Sequence, residues 1–253
     1  MKKIILIALA TCCTFAINIH AQDAAALLEQ ANASYEADDD AAALKGYEAV
    51  LAADASNYEA AWKLSRAYVD MGETLSDKDE RVAHYKKGME YAEKATQINP
   101  EGAKGFLSMS IAVGRVALNV GAKERVRLSK EIKKNVDRSL ELDGTDDIAW
   151  HVLGRWHRKL ATLSWIEKRF AGMFLGGVPK EASVEKSAEC FEKAAELNAT
   201  YINHYVELGL TYMELDRKAD AKTQFEKALS LPETEANDAK HKKTAKEMLK
   251  KVS

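Results

Sequence analysis

One spacing recurs along this chain and dictates its fold. Near the C-terminus, Tyr205 is followed by Leu208-Gly209 and Tyr212, and then by Ala221, Phe225 and Ala228. Steps of three and four residues put each set on one face of a helix, so the segment forms a helix pair. One unit earlier, Trp150, Leu153-Gly154 and His157 lead to Phe191 and Ala194. Toward the N-terminus, Ala43, Tyr47 and Val50 form a second-helix stripe. Ala61, Leu64, Ser65 and Tyr68 then open a unit that closes with Ala92, Ala95 and Pro100. Phe106, Met109, Ser110 and Val113, then Val136 and Ser139, give a fainter copy. A small residue where two helices cross lets them approach, and the large residues fill gaps between neighbouring pairs. Each pair packs only on its neighbours, which predicts an all-α solenoid.

The pattern resembles the tetratricopeptide repeat (TPR), whose period is about 34 residues. Units fall near 24–57, 58–102, 103–146, 147–201 and 202–235. The outer two have the standard length, and the middle three carry roughly 11, 10 and 21 extra residues. In the second unit "SDKDERVAHYKKGMEYAEKATQI" begins with a Ser/Asp cap signal and runs on as added helical turns. After the last unit, "NDAKHKKTAKEMLKKV" gives the polar cap that a solenoid end requires, over about 236–251. The expected fold is therefore a TPR-like right-handed superhelix of about five helix pairs plus a C-terminal capping helix, in one domain over 22–253.

Residues 1–21 have the form of a signal peptide. Lys2 and Lys3 precede an apolar stretch from Ile4 to Ile19, and Ala21 stands before Gln22 and Asp23. That stretch is short for a membrane span, so no integral span is expected after its removal. The expectation is an exported chain, periplasmic or secreted. Leu9-Ala10-Thr11-Cys12 is an imperfect lipobox and makes lipoprotein anchoring the less favoured alternative. Cys12 and Cys13 leave with the signal, so Cys190 has no intramolecular disulfide partner and is expected as a small helix residue. The formal charge of -2 becomes more negative without Lys2 and Lys3, which argues against general nucleic-acid binding.

From Trp150 onward the chain shows a narrower likeness. "WHVLGRWHRKLATLSWIEKRFAGMFLGGVPKEASVEKSAECFEKAAELN" resembles the regulator of microtubule dynamics protein family. The resemblance rests on Trp165, Lys168 and Arg169, Ala171, Phe174 with Gly176, and Pro179, all inside a lengthened repeat. It continues through "SVEKSAECFEKAAELN" and "YVELGLTYMEL", and Lys180 stands where the family often has a second proline. The resemblance implies a helical TPR-like domain with an acidic-lipid or peptide site.

The concave face of a TPR superhelix is lined mainly by first helices. Those positions give Trp62, Arg66, Leu107, Ile111, Arg115, His151, Arg155 and Arg158 as candidate ligand contacts. Arginine suits bidentate contact with carboxylate or phosphate, and a face of one sign focuses potential on an anion. The alternative is that these arginines pair with glutamates of adjacent helices. The insertion contributes Trp165, Lys168, Arg169, Phe170 and Phe174. Leu163, Ile166, Phe170, Met173 and Phe174 form one stripe, read as a first-helix extension stopped by Gly176-Gly177, with Pro179 in the next helix's first turn. A lipid-touching element and a lid are the other readings of that stripe. His151 and His157 stand six apart, on different faces, and form no zinc pair alone. Asp38-Asp39-Asp40 suits a solvated corner with a helix cap. No phosphate loop, nucleophile elbow or metalloprotease motif occurs, so no enzyme, cofactor or metal is expected. A protein or peptide is the expected partner, and an anionic phospholipid is the alternative.

Overall fold

The structure is a computed structural model describing residues 23–174, 177 and 179–252; within 122, 166, 170, 171, 173 and 174 it describes the backbone alone. The expected signal segment lies outside these residues. Among them are twelve helices and no strand. They are α1 (23–36), α2 (Asp40–Ala53), α3 (Tyr58–Thr74), α4 (Lys78–Ile98), α5 (Ala103–Ala117) and α6 (Ala122–Leu142). There follow α7 (Asp147–Ala161), α8 (Trp165–Phe174), α9 (Val184–Leu197), α10 (Ile202–Glu214), α11 (Lys218–Ser230) and α12 (Asp238–Val252). The expected pairs are α1/α2, α3/α4, α5/α6, α7/α9 and α10/α11. The fold is all-α and TPR-like, and α12 stands where the capping helix was expected.

The chain forms two compact units that divide within α5, at Arg115 and Val116. In the first, α3 packs on both α2 and α4. Its core gathers Ala31, Tyr47, Val50, Leu64 and Ala95, all essentially buried. In the second, α7 packs on α6 and α9, while α10 packs on α9, α11 and α12. Phe191, Ile202, Tyr205, Leu208, Phe225 and Ala245 form its core.

The paired-helix signature acts as its chemistry demands. Phe225 is fully buried over Gly209, where an added Cβ would stand 2.5 Å from the ring. Phe191 covers Gly154 in the same way, at 3.0 Å. Any larger residue at either glycine would hold the two helices apart, so the Leu-Gly steps are close-approach sites.

The units also repeat a corner that local spacing does not single out. Asp54, Asn99, Asp143 and Asn198 each end a helix in extended backbone and donate the backbone N–H to the carbonyl four residues earlier. Each side chain accepts from the N–H two residues on, at Ser56, Glu101, Thr145 and Thr200. Such Asx turns stop one helix and aim the chain at the next. Asp39 caps α2 by accepting from Ala42 N–H, with Asp38 in the left-handed region at φ 56°, as expected for the acidic corner. Asp77 caps α4 by accepting from Asp79 and Glu80 N–H.

The lengthened fourth repeat departs from expectation. The stripe does not extend α7; Ile166, Phe170, Met173 and Phe174 belong to a separate helix, α8, and Leu163 lies between the two helices. The Thr162 hydroxyl donates to the Arg158 carbonyl at 2.8 Å, and α7 ends there. Ser164 and Glu167 then form a reciprocal capping box: Ser164 N–H donates to Glu167 Oε2 at 3.0 Å, and Glu167 N–H donates to Ser164 Oγ at 3.3 Å. Pro179 is likewise outside the next helix's first turn. Its carbonyl accepts from Ala182 N–H, and Ser183 caps α9 instead.

Candidate functional site

In the first unit, polar side chains of the first helices satisfy one another. Asn32 of α1 donates to Glu59 at 3.2 Å and accepts from the Tyr47 hydroxyl and the Lys63 ammonium at 2.9 and 2.8 Å. Lys63 also pairs with Glu59 at 2.7 Å. Tyr35 donates to Asp70 at 3.0 Å. Arg115 forms an ion pair with Glu73. Trp62 is half-buried, with Lys63 Nζ 5.4 Å from its ring centre, and its carbonyl accepts from Ser108 Oγ. Arg66 and Ile111 are half-buried, whereas Leu107 is a core residue. Arg66 acts electrostatically on Tyr35.

In the second unit, α7 presents His151, Arg155, Arg158 and Lys159 along about two turns. Arg158 is buried. Its guanidinium is committed to Glu207 of α10, both to the carboxylate and to the backbone carbonyl at 2.9 Å, and it lies 5.8 Å from the Phe191 ring. Arg155 approaches the other Glu207 oxygen at 3.7 Å and remains about one-third exposed. Burial opposes the Glu207 charge, yet Arg155, Arg158 and Lys159 together hold its carboxyl below the ordinary value. For Lys159, one turn beyond Arg155, desolvation acts with Arg158, Arg155 and Arg125 to push the ammonium's pKa down, and Glu207 only partly offsets them. Arg125 donates to the Ala117 and Val120 carbonyls and pairs with Glu167 at 3.4 Å, so it joins the same positive neighbourhood.

His151 faces inward rather than onto an open surface. Its Nδ1 shares a hydrogen bond of 2.9 Å with Nδ1 of His204, whose Nε2 meets Asp147 Oδ2 at 2.9 Å. Asp147 also accepts from Asn198 at 3.1 Å. Burial opposes ionisation of Asp147, but these two bonds outweigh it and keep the carboxyl low. Burial, then His204 and the two arginines, pushes His151 far below the ordinary histidine value, so it is neutral near pH 7. In the bond between the two rings one histidine donates and the other accepts. The chain of bonds links α7, α10 and the Asn198 corner; no local motif points to it, because its two histidines lie 53 residues apart.

The insertion exposes Trp165, 69% accessible, with Arg169 stacked 5.2 Å from its ring centre. Lys168 donates to the Ala161 carbonyl at 2.8 Å. Phe170 and Phe174 belong to α8, but their side chains lie outside the described residues. Cys190 is buried, and burial pushes its thiol up to about 12, so it is not a ready nucleophile. Among the described residues no cluster of His, Cys, Asp or Glu is placed to hold a metal ion, and no helix is long and apolar enough to cross a membrane.

These features can be set beside known proteins. The family described as Regulator of microtubule dynamics protein 1-3 matches residues 27–253. Regulator of microtubule dynamics protein 3 from Rattus norvegicus is 30% identical over 188 residues, covering 74% of this chain and 40% of the rat protein. Regulator of microtubule dynamics protein 1 from Caenorhabditis elegans is 28% identical over 190 residues, covering 75% of this chain and 83% of the worm protein. The chain therefore matches only about two fifths of the rat relative's length. A thermophilic TPR protein from Thermus thermophilus superposes with a TM-score of 0.66 at 16% identity, over 88% of this chain and 98% of that one. That likeness concerns the fold alone.

Proposed function

The chain belongs to the regulator of microtubule dynamics family, and from that premise we propose that it is a non-enzymatic TPR scaffold that captures an acidic protein segment. Stacked helix pairs of this kind present extended binding surfaces rather than enclosed reaction chambers. The observation that carries the reading is the charge balance on α7. Arg155, Arg158 and Lys159 share one buried carboxylate, that of Glu207, and Arg155 remains accessible to solvent. An arginine only loosely engaged internally is well suited to a carboxylate brought by a partner. The form of residues 1–21 supports capture in an exported compartment, so the partner is a protein of that compartment rather than a microtubule.

Arg155→Glu is expected to abolish retention of acidic peptides on immobilised full-length protein while leaving far-ultraviolet helicity unchanged. Retention equal to that of the parent chain overturns the reading.

A second reading, binding of an anionic phospholipid, draws support from exposed Trp165 with Arg169 over its ring and from Leu118, which is 49% accessible. An amphipathic indole beside a cation suits a membrane interface. Mass spectrometry of gently purified protein checks it: co-purified phospholipid favours this reading, and its absence removes it.

A further inference from the structure

Lys159 is not among the first-helix positions expected to contact a ligand, yet it is the freest cation of the α7 face. It is exposed, and among the described residues its ammonium has no hydrogen-bond or ion-pair partner. Arg158 behind it is already engaged by Glu207, and Arg125 beside it by Glu167. These four cations face two carboxylates, which leaves two positive charges in surplus: Arg155 shares Glu207 with Arg158, and Lys159 has no carboxylate of its own. Arg155 and Lys159 are four apart on one helix and therefore share a face. Four helical residues advance about 6 Å along the axis.

An extended peptide advances about 6.6 Å over two residues and turns those two side chains to the same side. Adjacent side chains, and those three apart, point to opposite sides. We propose that the α7 face recognises an acidic-x-acidic spacing, in an extended peptide running along α7 with one carboxylate on Arg155 and the next but one on Lys159. This deepens the acidic-segment reading and rests on it. The surplus of two charges matches the two carboxylates, so the peptide neutralises the face. Relief of the repulsion among Lys159, Arg155 and Arg125 adds to the attraction and favours two carboxylates over one.

The test uses the full chain and fluorescein-labelled, end-capped Ser/Gly nonapeptides carrying Glu-Ser-Glu, Glu-Glu, Glu-Ser-Ser-Glu or Gln-Ser-Gln. Binding is read by fluorescence anisotropy at low ionic strength. Glu-Ser-Glu is expected to bind tightest and Gln-Ser-Gln not at all. Lys159→Gln and Arg155→Gln are each expected to weaken Glu-Ser-Glu by roughly threefold or more, as for loss of one exposed ion pair. Arg127→Gln serves as the control, because that exposed α6 residue is paired with Glu124. It should change nothing.

Equal binding of the three acidic peptides, or indifference to Lys159→Gln, overturns the spacing proposal while leaving the acidic-segment reading in place. Failure of every acidic peptide overturns both. Lys159-dependent capture by phosphatidylglycerol vesicles, with no peptide binding, overturns both in favour of a lipid surface.

Discussion

Residues 23–115 hold 17 acidic and 10 basic side chains, whereas residues 116–253 hold 22 and 25. The net charges of these two ranges are -7 and +3, and Lys2 and Lys3 bring the chain to -2, so the near-neutral total conceals two regions of opposite character. Their polar interiors differ in the same direction. In the first unit, Asn32, Lys63, Glu59 and Tyr47 close into a balanced cluster, much of it partly exposed. In the second, one buried glutamate is shared by several cations, and a histidine pair hangs from one aspartate. Repeats built on one backbone plan can therefore carry different chemistry. The helix pairing is set by the small and aromatic positions, and the polar residues between them are free to specialise.

Glu207→Ala probes that difference most severely. It leaves Arg158 buried without its counter-charge and is expected to cost about 3–5 kcal/mol. The urea midpoint should fall sharply, and hydrogen exchange should rise most in α7 and α10. A loss below about 1 kcal/mol, the range of an exposed pair, would erase the distinction between the units.

Acid separates the units next. His151, His157, His204 and His241 all lie in the second unit, while His84 is the first unit's histidine among the described residues. Burial, reinforced by Lys133 and Lys186, pushes His157 from 6.5 to about 4, and burial also lowers His151 and His241. A histidine held low in the folded state is protonated first in the unfolded chain. Its stabilisation is therefore complete above pH 6.5 and is lost as pH falls toward the folded value. For His157 alone the gap corresponds to roughly 3 kcal/mol at about pH 4. Urea midpoints at about pH 7.5, 5.5 and 4.5 should fall in that order. His157→Leu should make the fall shallower, because it removes one of the three depressed histidines, and His157 Nδ1 has no hydrogen-bond partner to lose. A profile left unchanged by His157→Leu would overturn the assignment.

Close helix approach gives an intermediate effect, and one common to both units. Gly209→Ala drives a methyl into the Phe225 ring at 2.5 Å, and Gly46→Ala drives one into Ala31 Cβ at 2.7 Å. Overpacking of this kind costs typically about 1–3 kcal/mol. Thermal melts should show similar losses for the two variants. A loss at Gly209 alone would mean that the two units do not use small crossing residues alike.

The parts legible in the sequence are those fixed by local spacing. Leu-Gly followed by an aromatic marks the crossings at Gly154 and Gly209, and Asp77 marks the start of α4. The capping box at Ser164 and Glu167 is equally local, but the apolar stripe around it masks the signal and makes α8 look continuous with α7. Side-chain fate is less legible. Arg155 and Arg158 occupy similar first-helix positions, yet the small angular offset between them turns Arg158 into the α10 interface and leaves Arg155 at its edge. Lys159, one turn from Arg155, escapes a count of concave positions by repeat number and emerges only from its helical neighbourhood. The His151–His204 contact depends on packing between α7 and α10, and no spacing within either helix announces it.

The smallest expected effect is also the cleanest control for the largest. Glu73 and Arg115 form an ion pair in the first unit, with side chains 22% and 30% exposed. Water reaches both groups, so removing one charge leaves its partner hydrated rather than stranded. Glu73→Gln keeps the side-chain volume and one acceptor oxygen, and the expected loss is at most about 1 kcal/mol. Because solvent-accessible pairs are screened, that loss should shrink in about 1 M salt, where the Debye length is about 3 Å. The penalty of Glu207→Ala should persist in the same salt, since burial rather than long-range attraction sets it. Paired urea titrations at low and high salt decide the matter. If both penalties shrink alike, Glu207 behaves as a surface carboxylate, and the contrast between a balanced first unit and a charge-loaded second one falls with it.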